Sequence, residues 1–411
     1  MIQRKKFLEI QPYLATDDVI VIHGARQTGK TTLLNLIADA LPRQSVHYLD
    51  LEDGRYLALC EEGPESINTY LSQKGLLTGK EKFYLQIDEI QYLSNPSNML
   101  KLMHDHFPLI KLIVSGSSSF DIKRKFKDSL VGRTVDFELF PLDFEEFLNF
   151  KGLNINLDRP IKAGPVRDEL TILYREFVKY GGYPKIALTD SIEMKEKYLQ
   201  QIVDTYVKND IRDLANVKHI AKFNKLLRLL AAQSGNLLNV AELSRTARIA
   251  QQTVEEYLFI LESTYIIKLV QPFSGNIRSE LFKTPKIFFY DTGIMHMLSM
   301  GMLPKEISGA GFETSIFSEL AKLHGPKNVF HWRTQDKKEI DFILSKGGKL
   351  FPIEAKINAA AFNDTAMNCF SQKYNAPQQL CVSLEGVLPQ KSSPVINVRP
   401  WDIALRKPKF V

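Results

Sequence analysis

Gly24-Ala25-Arg26-Gln27-Thr28-Gly29-Lys30-Thr31 fits G-x-x-x-x-G-K-[ST] at every fixed position. It lies between the strand-like run VIVIHG and an apolar helix-forming stretch that begins Thr32-Leu33-Leu34. That placement constrains the fold more than any other feature of the chain. Glycines let a backbone turn tightly around an anion, and the N–H groups opening the following helix point at it with the helix dipole behind them. The pattern therefore predicts a phosphate-binding turn at the C-terminal end of a parallel strand. Lys30 would reach the β- and γ-phosphates, and the Thr31 hydroxyl would ligate Mg²⁺.

A partner feature follows some 57 residues on, where the strand-like Phe83-Tyr84-Leu85-Gln86-Ile87 ends in Asp88-Glu89. Asp88 can hold the Mg²⁺ shell, and Glu89 can take a proton from an attacking water. The pair predicts binding of ATP with Mg²⁺, and its hydrolysis. A third run, Ile110 to Val114, leads into Ser115-Gly116-Ser117, where Ser115 or Ser117 could sense a γ-phosphate. Arg133 could bring positive charge to a phosphate in its own chain or, in a homo-oligomer, in a neighbouring one.

The first 150 residues alternate apolar runs (VIVIHG, VHYLDLE, FYLQIDE, IKLIVSGS, TVDFELF) with helical stretches. This reads as α/β: a P-loop parallel sheet with helices on both faces. A turn-rich stretch at Lys151 to Pro165 marks the first boundary, and a second change of pattern follows Pro272. Three regions result: 1–150, a helical region at 151–270, and an α/β region at 271–411. No apolar run approaches the roughly 20 residues that cross a bilayer, and the polar start lacks a signal-peptide core. A cytoplasmic location without a membrane partner is expected. Cys60, Cys369 and Cys381 are scattered, which signals neither a disulfide framework nor a zinc site.

From Gln271 onward there are 18 Lys and Arg against 12 Asp and Glu, so the whole net charge of +6 falls in the last third. A surplus of that size permits a polyanionic partner such as DNA or RNA, but more often marks only an ordinary solvated surface. In the middle region, Val240 to Arg248 and Gln251 to Glu262 read as helix, short turn, helix, with Asn239 as the cap. Val254, Tyr257, Leu258 and Leu261 recur on one face of the second helix, and Tyr265 to Val270 could follow as the wing of a winged helix. Gln251, Gln252 and Thr253 would lead into a DNA groove, but Glu255 and Glu256 would face phosphates and repel them.

Further on, Lys338 to Leu344, a Gly347-Gly348 turn and Leu350 to Lys356 read as a β-hairpin carrying acids on paired strands. Asp341 and Glu354 would share a divalent metal, with Lys356 orienting or activating a water and Glu313 or Glu319 as a further ligand.

The sequences GARQTGKTT, YLQIDEIQYL, VSGSSS, LVGRTVDFELFPLDFEEFL, YGGYP, FYDTGI and WRTQDKKEIDFIL…PIEAK occur in that order. In this combination the chain resembles the prokaryotic AAA-like P-loop ATPases that carry a C-terminal domain of unknown function with a restriction-endonuclease-like core. The resemblance implies nucleotide roles for Lys30, Thr31, Asp88 and Glu89, and a nuclease-like site at Asp341, Glu354 and Lys356. It supplies no substrate. A nucleotide-driven nuclease and a nucleotide-switched binding protein with an inactive C-terminal domain both remain open.

Overall fold

The apolar runs of the first 150 residues form five strands: β1 (Val19–His23), β2 (Val46–Asp50), β3 (Phe83–Asp88), β4 (Ile110–Gly116) and β5 (Thr134–Glu138). All neighbours are parallel, in the order β2-β3-β4-β1-β5. The structure is a computed structural model that describes residues 2–77, 81–116, 130, 132–161, 164–208, 211, 219–274, 284–376, 378–389 and 395–404.

Alternation along a strand sends successive side chains to opposite faces. Val19, Val21, Leu85, Ile87, Leu112 and Val114 accordingly pack with Ile67, Leu71, Leu100 and Met103 on one face. Ile20, Ile22 and Ile113 pack with Leu33, Leu34 and Ile37 on the other. Because both faces are covered, β1 is buried at every residue and reads as continuous apolar sequence. Strand β4 separates β1 from β3, so the phosphate turn after β1 and the acids after β3 flank the C-terminal end of β4.

By the density of its contacts the chain divides into two units. The first holds 1–140 with 208–216 and 263–265, and the second holds 141–207, 217–262 and 266–411. The second unit thus takes in both the helical stretch and the C-terminal third. Around Phe144, the rings of Tyr174, Phe177 and Trp401 have centroids 4.8, 5.6 and 6.5 Å away. The Gly181-Gly182 pair meets Asp291-Thr292-Gly293 in the same unit. Asp291 accepts the Gly182 N–H at 2.7 Å, and a Cβ on Gly182 would lie 2.3 Å from the Leu142 carbonyl oxygen. Close backbone approach explains the glycine there.

Helices Val240–Ala247 and Gln251–Ser263 lie where the sequence puts them, and Val254, Tyr257, Leu258 and Leu261 are buried. Strand β6 (Ile267–Val270) pairs antiparallel with β7 (Lys286–Phe289). A mixed sheet of β8 (Val329–Arg333), β9 (Glu339–Lys346), β10 (Lys349–Asn358), β11 (Gln379–Glu385) and β12 (Val395–Val398) follows, in the order β12-β11-β10-β9-β8. The turn between β9 and β10 is Gly347-Gly348, with φ of 56° and 75°, the left-handed pair that a two-residue hairpin turn needs. Among the described residues no helix is long and apolar enough to cross a membrane.

Candidate functional site

The phosphate turn is held by its own backbone and side chains and by side chains from elsewhere in the chain. Gly29 caps the helix Lys30–Asp39 with φ 96° and ψ 31°, a left-handed conformation that favours glycine. A Cβ on Gly24 would lie 2.2 Å from the Leu139 carbonyl oxygen, so this position excludes every larger residue. Gln27 also has positive φ, at 62°. The Thr28 hydroxyl donates to the Ala25 carbonyl at 2.9 Å. Arg26 is half-buried on the turn, and Thr32 is exposed in the first turn of the helix. That first turn carries N–H groups that no helix carbonyl can take.

Lys30 is buried and donates to the carbonyls of Gly24 and Ala25 at 3.1 and 3.0 Å, which holds its ammonium inside the turn. Arg4, which the sequence reading passed over, reaches the turn from the N-terminus. It is 3% exposed and donates to the Thr28 carbonyl at 2.7 Å and the Phe140 carbonyl at 2.9 Å. No motif announces it, because its partners are backbone oxygens far along the chain.

At the end of β3, four donors converge on Asp88. The Thr31 hydroxyl donates to Oδ2 at 2.6 Å and the Tyr48 hydroxyl to the same oxygen at 3.0 Å. Ser115 and the Glu89 N–H donate to Oδ1, the latter at 3.0 Å. Tyr48 is a second residue that sequence reasoning missed. Burial and then the Asp88 charge raise its phenol well above the usual range, so it stays a donor. Glu89 has a left-handed backbone with φ 56°, and its carboxylate accepts from the Gln91 amide. Asp50 stands opposite Asp88 in register, and the Glu52 carboxyl is raised by burial and then by Glu89 and Asp50. Negative charge is therefore crowded beside the turn.

Arg133 requires a correction within its own chain. It precedes β5, whose Thr134 pairs with Val19 at the start of β1, so it stands at the opposite end of the sheet from the turn. Five residues of strand separate those ends, on the order of 16 Å. There Arg133 donates to both oxygens of Asp105 at 2.8 and 3.2 Å, and the guanidinium holds that carboxyl down to about 2. The parallel pairing of β5 with β1 is what decides the end of the sheet that Arg133 occupies. Ser117 lies outside the described residues.

The C-terminal carboxylates do come together. Asp341 on β9 accepts the Ala355 N–H at 2.9 Å, and Lys356 lies 2.7 Å from Glu354 and 3.5 Å from Asp341. Glu313, on the helix Gly309–His324, joins them through Lys286. Glu319 does not. It accepts the Phe144 N–H at 3.0 Å and stands 3.5 Å from Lys322.

Between Asp341 and Glu354, the expected metal ligands, stands the Lys356 ammonium, and a second ammonium approaches Asp341 from the other side. Lys286 on β7, 3% exposed, is 3.1 Å from Glu313, 2.6 Å from Glu339 and 3.9 Å from Asp341. Burial alone would pull the Lys286 ammonium down, but Glu313, Asp341 and Glu339 outweigh it and push it above its ordinary value. The Glu313 and Glu354 carboxyls are raised by burial and by Asp341, against the pull of the lysines. Among the described residues no group of three or more His, Cys, Asp or Glu is arranged to hold a metal ion. Cys60 and Cys381 are buried and unbridged, and burial pushes both thiols up to about 12.

Comparison with known proteins agrees with the first part of this geometry. Residues 16–148 match the AAA domain family. Residues 171–305 and 308–399 match two domains of unknown function, DUF8612 and DUF4143. An uncharacterized protein of Haemophilus influenzae is 27% identical over 370 residues, covering 86% of each chain. An uncharacterized protein of Methanocaldococcus jannaschii is 26% identical, over 82% of this chain and 74% of its own. Among solved structures, a Walker-type ATPase of Pyrococcus abyssi is 14% identical, with a TM-score of 0.47 over 72% of this chain and 96% of its own. Residues 16–148 thus match an AAA domain and carry the P-loop turn described above, and matches to two domains of unknown function follow.

Proposed function

We propose that the chain binds ATP with Mg²⁺ and hydrolyses it at the turn 24–31, and that the nucleotide state controls what the C-terminal domain holds. The observation that carries this reading is the convergence of Thr31, Tyr48, Ser115 and the Glu89 N–H on one carboxylate, Asp88, beside the buried Lys30. A hydroxyl and a carboxylate 2.6 Å apart, within crowded negative charge, are the hard oxygen donors that a small divalent cation takes. Thr31 and Asp88 would hold Mg²⁺, which when bound draws charge from the β- and γ-phosphate oxygens.

The chain's own groups do the rest. The N–H groups from Gly24 to Thr32 cradle the β-phosphate, and Lys30 neutralises the β- and γ-oxygens. Glu89 takes the proton of the attacking water, with the Gln91 amide fixing its carboxylate. Ser115, on the strand between β1 and β3, is the group that senses the γ-phosphate. Arg133 would serve only a neighbouring copy in a homo-oligomer. A cytoplasmic location suits an enzyme that draws on ATP.

For the C-terminal domain, the β9–β10 hairpin with Asp341, Glu354 and Lys356 supports a restriction-endonuclease-like core, and the helices 240–263 with β6 and β7 support a winged helix. The +6 surplus of the last third suits DNA or RNA as the partner. One observation favours binding without cutting: Lys286 stands among the acids that a nuclease would give to its metal. The test is Mg²⁺-dependent phosphate release by the full chain, with and without DNA or RNA, together with the fate of the nucleic acid. Turnover raised by an intact nucleic acid supports the switch. Metal-dependent cleavage that Asp341→Ala abolishes would replace it with the nuclease.

A further inference from the structure

We infer that Lys286 is the resident cation of the C-terminal acid cluster and that it shuts divalent metal out of that site. The inference rests on the non-cutting reading of this domain and is independent of ATP hydrolysis. Four elements bring six charges together: β7 gives Lys286, the helix Gly309–His324 gives Glu313, β9 gives Glu339 and Asp341, and β10 gives Glu354 and Lys356.

A divalent ion shared by Asp341 and Glu354 needs free carboxylate oxygens facing one point. Both oxygens of Asp341 are already engaged. Oδ1 faces the Lys286 ammonium at 3.9 Å, while Oδ2 accepts the Ala355 N–H at 2.9 Å and lies 3.5 Å from Lys356. Glu313 spends Oε1 on Lys286 at 3.1 Å, and Glu354 spends Oε1 on Lys356 at 2.7 Å. Lys356 is the lysine that the nuclease pattern includes, whereas Lys286 is an addition to it.

Position makes Lys286 hard to displace. Its side chain is 3% exposed, and Glu339 holds it from a second side at 2.6 Å while also pairing with Arg333 at 3.1 Å. An entering cation would have to drive a buried ammonium away from three carboxylates and take its place beside a second one, Lys356. Breaking buried ion pairs leaves uncompensated charge, which is strongly unfavourable. The ammonium is also tethered, so it competes with the metal at a high effective concentration.

The test is Mn²⁺ titration of the nucleotide-free full chain by calorimetry, with thermal unfolding in parallel. Wild type is expected to show no Mn²⁺ binding that Asp341→Asn removes. Lys286→Met is expected to gain about one Mn²⁺ site, at least about tenfold tighter than any in wild type, and to lose it again in the Lys286→Met/Asp341→Asn double variant. If Lys286→Met does not fold, Lys286→Gln, which keeps a donor in place, is read in the same way. Wild-type Mn²⁺ binding that Asp341→Asn abolishes overturns the inference, as does a folded Lys286 variant that binds none. A nucleic-acid cleavage assay on the same wild-type samples separates the two ideas. Binding without cleavage defeats the resident-cation inference alone, while binding with Asp341-dependent cleavage defeats the non-cutting reading as well.

Discussion

The Thr31 hydroxyl donates to Asp88 Oδ2 over 2.6 Å, joining residues 57 positions apart in the chain. The contact ties the first helical turn after β1 to the end of β3, across the tip of the strand that separates them. Asp88→Asn should therefore spare ATP binding in the absence of Mg²⁺, within about threefold. It should lower Mg²⁺-dependent turnover by on the order of 100-fold or more. Calorimetry with and without EDTA, beside steady-state phosphate release, reads the two effects separately.

Gly24→Ala should destabilise the first unit, because the new methyl carbon would meet the Leu139 carbonyl 2.2 Å away. Relief demands a shift of β5 or of the turn, at about 1–3 kcal/mol. A lowered thermal midpoint, with ATP recovering only part of it, is the expected result.

Arg4→Met removes a buried guanidinium from two backbone oxygens, those of Thr28 and Phe140. Charged hydrogen bonds of this kind are worth about 1.5–3 kcal/mol. Chemical denaturation should show a loss of that order, and ATP affinity should fall about tenfold as the turn loosens. Arg4→Lys, able to keep one of the two contacts, should recover part of both.

The C-terminal cluster should make stability depend on pH in a definite direction. Glu313 and Glu354 are raised above their unfolded value of 4.5 by burial and by Asp341. Between 4.5 and the raised native values the folded chain binds more protons than the unfolded one, so stability falls as pH rises through that window. Glu354→Gln should reduce the stability change across that window by about 1–3 kcal/mol, read from denaturation midpoints on either side of it.

Much of the P-loop domain was legible because its signals are local. A glycine-lysine turn between strand and helix needs no distant partner to be recognised, and Asp88-Glu89 closes a short apolar run of strand length. The inner strands β1 and β4 are buried at every residue, which leaves no alternation to confuse the reading, while the edge strands β2 and β5 are only partly covered. Residues whose roles depend on pairing across the fold were not legible. Arg133 looked like a phosphate ligand until strand register set it at the far end of the sheet, on Asp105. Arg4 and Tyr48 lie in segments without a motif, and Lys286 precedes the plain apolar triplet Ile287-Phe288-Phe289. Glu313 and Glu319 stand on one helix with equal claims in sequence, and only packing separates them, one facing Lys286 and the other the Phe144 N–H.

The most direct test of the central claim is phosphate release from Mg²⁺·ATP by the purified full chain beside Lys30→Ala and Glu89→Gln, with ATP binding measured on the same samples. ATP hydrolysis at the turn 24–31 predicts Mg²⁺-dependent turnover by wild type, loss of binding and turnover together in Lys30→Ala, and retained binding without turnover in Glu89→Gln. Wild-type turnover that survives Glu89→Gln, or ATP binding indifferent to Lys30, would contradict it.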